Sequence, residues 1–162
     1  MTKTIRRSTT LSAIAAVLAA PTVAASPPTG SLAPRAHLRR TGTVVVPAPP
    51  ERAFPLFTPL GERRWAPGWE PRFQYPADGE PRVGTTFTTR GEDGRETIWM
   101  MLDWDPAGHR VRYARVTPGL KTGTVEVVCA PDARATTVAT VTYELTALSP
   151  EGDADLATWT GR

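Results

Sequence analysis

Residues 43–54 read TVVVPAPPERAF. Three valines in a row favour extended chain, because β-branched side chains fit a pleated surface. Pro47 stops the run, since proline has no amide hydrogen to give to a ladder. Pro49 and Pro50 then lead into Glu51. Proline in a first helical turn, with an acid beside it, marks a helix start. Phe54 and Phe57 fall at helical spacing, but Pro55 and Pro59 keep any helix here short. Two brief helical turns are therefore expected, ending at residues 65–69, WAPGW.

Working outward towards the C-terminus, the chain becomes a series of strand-like runs separated by turn signals. The runs cover residues 70–75, 85–90, 96–104, 109–116, 121–129 and 134–148. Between them lie PADG at 76–79, EDG at 92–94, DPAG at 105–108, PG at 118–119 and PD at 131–132. Asp-Gly is a strong hairpin signal. Gaps of hairpin length make neighbours antiparallel, because a parallel crossover needs a longer connection. After the last run, Ser149 is placed as an N-cap and Pro150 at the first helical position.

Working outward in the other direction, residues 26–40 (SPPTGSLAPRAHLRR) read as a Pro/Arg-rich linker without periodicity. Residues 1–25 have the parts of a secretory signal. Lys3, Arg6 and Arg7 form its positive start, residues 11–20 its apolar core, and Val23, Ala24 and Ala25 precede a cut before Ser26. The apolar run, counted to Ala25, is 15 residues and contains Pro21. A bilayer needs roughly 20, so no stable membrane span is expected in the mature form. The expectation is a bacterial protein exported to the periplasm or secreted, by the general or the twin-arginine route. A mis-assigned start would leave it cytoplasmic.

The chain has 162 residues, a formal charge of +3 and an isoelectric point near 9.5. That length suits one domain with a real core. The basic balance would normally raise nucleic-acid binding. Its distribution argues against that. Residues 1–40 carry six bases and no acid, whereas residues 41–162 carry thirteen bases and sixteen acids, interspersed. Once residues 1–25 are cut away, sixteen bases face sixteen acids. Cys129 is the sole cysteine, which excludes an internal disulfide and a thiolate cluster. Nucleophile elbow, phosphate loop and His-Glu metal spacing are absent. No cofactor or metal is expected.

The order is strand, short helices, six antiparallel strands, helix. With VVVPAPPERAF at its head and Trp65–Trp69 behind, residues 41–162 resemble the START-like (SRPBCC) superfamily, in its polyketide cyclase/dehydrase-like branch. The resemblance implies an α+β helix-grip fold. A curved antiparallel sheet, with two short helices after strand 1, wraps a C-terminal helix, and a ligand cavity lies between sheet and helix. Only 12 residues follow Pro150, and Gly152 and Gly161 weaken a helix there. The closing helix is therefore expected to be short or truncated. The cavity would be more open, or completed by a partner such as a second copy.

Alternation nominates the site. Val141, Tyr143 and Leu145 share one face of the last strand, taken as concave; Val125, Val127 and Cys129 go together, as do Val111, Tyr113 and Arg115. The run at 96–104 is ambiguous. Ile98, Met100, Leu102 and Trp104 oppose Trp99, Met101 and Asp103, and both sets are apolar enough to be covered. An apolar pocket needs a few phenol, indole or charged groups to orient its ligand. Trp65, Trp69, Trp99, Met101, Tyr113, Arg115 and Tyr143 are the candidate ligand-binding residues, with Arg115 suited to a carboxylate or enolate oxygen. His109, Cys129 and the Asp103/Asp105 pair read as structural, Asp105 opening the turn at Pro106. No catalytic residue is assigned.

The first reading is thus a binding module for a small hydrophobic or amphipathic molecule: lipid, quinone, polyketide or aromatic. The alternatives are a polyketide cyclase/aromatase-type enzyme and an interaction domain whose groove takes a partner segment. A cyclase should place at least two of Tyr113, Arg115, Asp103 and Tyr143 within reach of one point in the cavity. A carrier should line its cavity almost wholly with apolar groups.

Overall fold

The computed structural model describes residues 33–132 and 135–159. The signal read at 1–25 and the linker up to residue 32 lie outside the described residues. The elements are β1 (His37–Val46), α1 (Pro50–Ala53), a 3-10 turn (Phe54–Phe57), α2 (Pro59–Glu62), β2 (Arg72–Tyr75), β3 (Thr86–Arg90), β4 (Glu96–Asp105), β5 (Arg110–Thr117), β6 (Lys121–Pro131), β7 (Thr137–Ala147) and α3 (Pro150–Thr158). All seven strands form one antiparallel sheet in the order β1-β7-β6-β5-β4-β3-β2. This is the expected α+β helix-grip arrangement: a curved open sheet, short helices after β1, and a helix at the C-terminal end.

β1 begins at His37, inside the stretch read as linker to residue 40, and pairs with β7 over ten residues. It is an edge strand, and nearly all of it is exposed. An edge strand exposed along nearly all of its length has no alternation to betray it, which is why residues 37–40 look like linker.

Alternation holds well on the inner strands. Val111, Tyr113, Val125, Val127, Cys129, Ala139 and Leu145 are all buried on the concave side. β4 needs a correction. Ile98, Met100 and Leu102 are exposed by 42%, 46% and 42%, so their face is not covered. A bulge between Met101 and Asp103 then shifts the register against β5. Beyond it Trp104 turns inward and stacks on Phe54 at 5.0 Å, while Asp103 turns outward to Arg110 at 2.8 Å. One extra residue reverses the parity of everything after it.

α3 starts as expected, with the Ser149 hydroxyl accepting from the Gly152 amide at 3.1 Å. Leu156 and Trp159 pack with Leu145, Ala147, Leu38 and Ala36 in a cluster separate from the main core. Arg35 and the Ala36 amide both hydrogen-bond Asp153 of α3 at 2.8 Å. The helix thus clasps the start of β1 to the end of β7.

Candidate functional site: a cavity under the broken helical segment

Pro55 and Pro59 cut the segment after β1 into one-turn pieces, as proline must. Aromatic donors take up three carbonyls of this segment. Trp65 Nε1 donates to Leu56 at 2.7 Å, Trp69 Nε1 to Pro59 at 2.8 Å, and the Tyr113 hydroxyl to Phe57 at 3.1 Å. Phe54 and Phe57 anchor the same segment in the core. It is thereby held across the concave face of the sheet.

Under it lies a cavity of about 690 Å³. Phe57, Pro59, Glu62 and residues 65–69 form one wall. The sheet forms the other, through Phe87, Trp99, Tyr113, Arg115, Val125, Val127, Val141 and Tyr143. Residues 40–44 of β1, with 89–92 and Thr97 of the β3–β4 hairpin, complete the lining. The expected position between sheet and C-terminal helix is not what is found, for no described residue of α3 lines the cavity. α3 is too short to reach along the concave face, and its apolar side chains are already engaged with β7 and β1.

Six of the seven candidate residues line this one cavity: Trp65, Trp69, Trp99, Tyr113, Arg115 and Tyr143. Met101 does not. It is completely buried among core side chains and is a packing residue. Trp65 is 52% exposed and sits at the rim, edge-on to Phe57. Trp69 and Trp99 meet edge to face at 5.6 Å. Three of the five indole and phenol handles expected to orient a ligand are spent on the helical segment. A fourth, Trp99 Nε1, donates to the Thr89 hydroxyl at 2.9 Å, and Tyr143 is the fifth. Asp103 lies outside the cavity altogether.

Three polar groups of the lining keep unsatisfied capacity. Arg115 has its Nε buried without a hydrogen-bond partner among the described residues. Its guanidinium lies over the Trp99 ring at 4.8 Å. The Tyr143 ring packs edge-on against Trp159 at 4.7 Å, and its hydroxyl bonds no described residue. Glu62 also lines the cavity, and sequence reasoning missed it. Burial pushes its carboxyl up to about 8, so it is a neutral acid at pH 7. Burial also raises Tyr143, and Glu62 raises it further while Arg115 opposes the rise. Burial holds Tyr113 well above the ordinary phenol range, with Glu62 again adding to the effect. Burial lowers Arg115, against the favourable fields of Tyr143 and Asp155. An arginine side chain remains charged nonetheless. Tyr143 therefore senses Glu62 from one wall and Arg115 from the other.

Residues 37–162 match the family model described as "Polyketide cyclase / dehydrase and lipid transport". No match is found among curated proteins. Among solved structures, the chain is similar to norcoclaurine synthase from Thalictrum flavum, at 14% identity, TM-score 0.60, over 78% of this chain and 79% of that one. It is similar to CalU16 from Micromonospora echinospora at 19% identity, TM-score 0.53, over 75% and 74%. A protein from Thermobifida fusca aligns at 18% identity, TM-score 0.57, over 75% and 80%. Identities this low speak to the fold alone.

Proposed function

Because the chain belongs to the polyketide cyclase/dehydrase and lipid transport family, we propose that it binds one small amphipathic molecule under the segment 54–69. The observation that carries this is the cavity itself: about 690 Å³, walled by aromatic rings and valines, with the unpartnered Arg115 Nε on the sheet side and the Glu62 carboxyl on the facing wall. That volume suits a single ligand of ordinary drug size, and the mixed lining suits an apolar body with a polar end. Trp65, Trp69, Trp99, Tyr113, Arg115 and Tyr143 are the proposed contacts, with Glu62 added. Export after cleavage before Ser26 belongs to the same proposal, and N-terminal sequencing of the protein recovered from its host tests it.

The ligand proposal is tested by filling the cavity. Val141 lines it from β7 and is only partly buried. The Val141→Trp variant should keep its circular dichroism spectrum and lose most binding of the neutral probe N-phenyl-1-naphthylamine, read by fluorescence. Undiminished probe binding in that variant overturns the reading.

A second reading, an enzyme of the cyclase/aromatase type, draws support from one feature. Tyr113, Arg115 and Tyr143 line the same cavity as a carboxyl that is still protonated at pH 7. Such a group can deliver a proton. Native mass spectrometry of protein recovered from its host separates the readings. A binding module retains one ligand mass, whereas an enzyme converts that ligand on incubation.

A further inference from the structure

The sheet register sets Phe87, Trp99 and Arg115 side by side on β3, β4 and β5. Phe87 and Trp99 stack with planes 1° apart and centroids 5.8 Å apart, and Arg115 continues the row over Trp99. Next in the row, on β6, is Gly123, which places no side chain beside the guanidinium. We infer that the ligand is an aromatic monocarboxylate, its rings along the Phe87–Trp99 stack and its carboxylate on Arg115. This inference rests on the reading of the cavity as a ligand site.

The charge balance around Arg115 is the first support. Arg115 makes no ion pair with any described residue, and its Nε, though buried, has no acceptor. Buried polar atoms are almost always paired, so an orphan donor on a side chain that lines a cavity marks a missing acceptor. Asp155 lies near enough to stabilise the guanidinium, but its carboxylate is taken by Lys121. Glu62, on the facing wall, holds its proton at pH 7 and supplies no counter-charge there. Tyr113 and Tyr143 are neutral at that pH, both being raised. The remaining charged lining groups, Arg40, Arg90 and Glu92, are exposed at the mouth and add a further net positive charge. The cavity interior is therefore left with one uncompensated cation.

The anion's chemistry follows from the surroundings. A guanidinium fork matches the planar, two-oxygen face of a carboxylate. A phosphate monoester carries up to two charges, and bringing both into a pocket walled by rings costs more desolvation for one facing cation. The Tyr143 hydroxyl, which bonds no described residue, can donate to the same carboxylate. A flat aromatic body extends the stack that Arg115, Trp99 and Phe87 already form.

Titration calorimetry on the full chain, with 2-naphthoate and its neutral isostere 2-naphthamide at pH 7, tests this. The wild type should bind the acid at least about tenfold more tightly than the amide. Arg115→Gln should bring the two within about threefold of each other by weakening only the acid, and Arg115→Lys should recover part of the preference. A thermal melt checks that each variant is folded. If Arg115→Gln does not fold, the wild-type acid-to-amide ratio and Arg115→Lys still decide. Equal wild-type affinities for acid and amide overturn the inference and leave the ligand site standing. A preference that survives Arg115→Gln also overturns it. Binding of neither probe overturns both the inference and the reading beneath it.

Discussion

Tyr113 and Tyr143 occupy one cross-sheet row with Val125 between them, yet they differ by a hydrogen bond. The Tyr113 hydroxyl is buried and holds the Phe57 carbonyl; the Tyr143 hydroxyl has no described partner. Tyr113→Phe leaves a buried carbonyl unsatisfied and should cost about 1–2 kcal/mol in urea unfolding. Tyr143→Phe should leave stability within about 0.5 kcal/mol and instead weaken ligand binding. The reverse pattern would move the ligand-facing role from Tyr143 to Tyr113. Glu62 carries a second prediction. Its carboxyl ordinarily titrates near 4.5 and is pushed up to about 8 when folded. Between those values the folded chain holds a proton that the unfolded chain has released. Stability therefore falls as pH rises through that window, and the whole cost is present above about pH 8. Glu62→Gln removes the titrating group. Its advantage over wild type should be larger at about pH 9 than at about pH 5, by about 1–2 kcal/mol in paired urea titrations, because water at the cavity softens the full shift. An advantage independent of pH would show that Glu62 titrates normally. Sequence alone could find the tyrosines, since strand parity puts them on the apolar face. It could not find Glu62. A lone acid in a one-turn helix has no period, and only the fold over the sheet removes it from water.

Among the elements, the inner strands were legible and their exceptions were not. Val111, Tyr113, Val125 and Val127 follow simple alternation because β5 and β6 are regular and covered on one face. β4 carries apolar residues on both faces, so nothing in its composition locates the bulge that sends Trp104 inward and Asp103 outward. α3 shows a different limit. By propensity alone Gly152 weakens the helix by about 1 kcal/mol relative to alanine. In the fold it is buried, and a Cβ there would lie 1.9 Å from the Leu120 carbonyl oxygen. Its absent side chain lets α3 approach the β5–β6 turn, where the Leu148 amide also bonds the Leu120 carbonyl at 2.8 Å. Gly152→Ala should therefore destabilise, by about 2 kcal/mol or more, although alanine is the better helix former. A denaturant midpoint at or above wild type would show that α3 can shift outward without loss. Ser149→Ala is the natural comparison, removing only the cap at about 1 kcal/mol.

At the scale of the whole molecule, the expected domain start at residue 41 meets a structure in which β1 begins four residues earlier. The difference reaches the far end of the chain. Residues 37–40 pair with Tyr143, Glu144, Leu145 and Thr146 of β7. Ala36 accepts from the Ala147 amide at 2.9 Å, and Arg35 bridges to Asp153 of α3. Ala36 and Leu38 also cover Leu145, Leu156 and Trp159. The α3 clasp is thus built half from the N-terminal side of the body. A chain beginning at Ala33 keeps every one of these contacts and should unfold at the midpoint of the full chain. A chain beginning at Thr41 strips the four ladder residues and the apolar cover. It should be less stable by about 2–4 kcal/mol, mostly from lost backbone hydrogen bonds and the burial of Leu38. The Arg35–Asp153 bridge is partly exposed and contributes little of that. Removing Arg40 from the cavity mouth also takes away one of the positive charges that face an incoming anion. The shorter chain should therefore bind 2-naphthoate more slowly even where it is folded, since a rim charge acts chiefly on the association rate. Equal midpoints for the two chains would mean that β7 and α3 hold their positions without β1's first half. The body would then start where composition alone suggests.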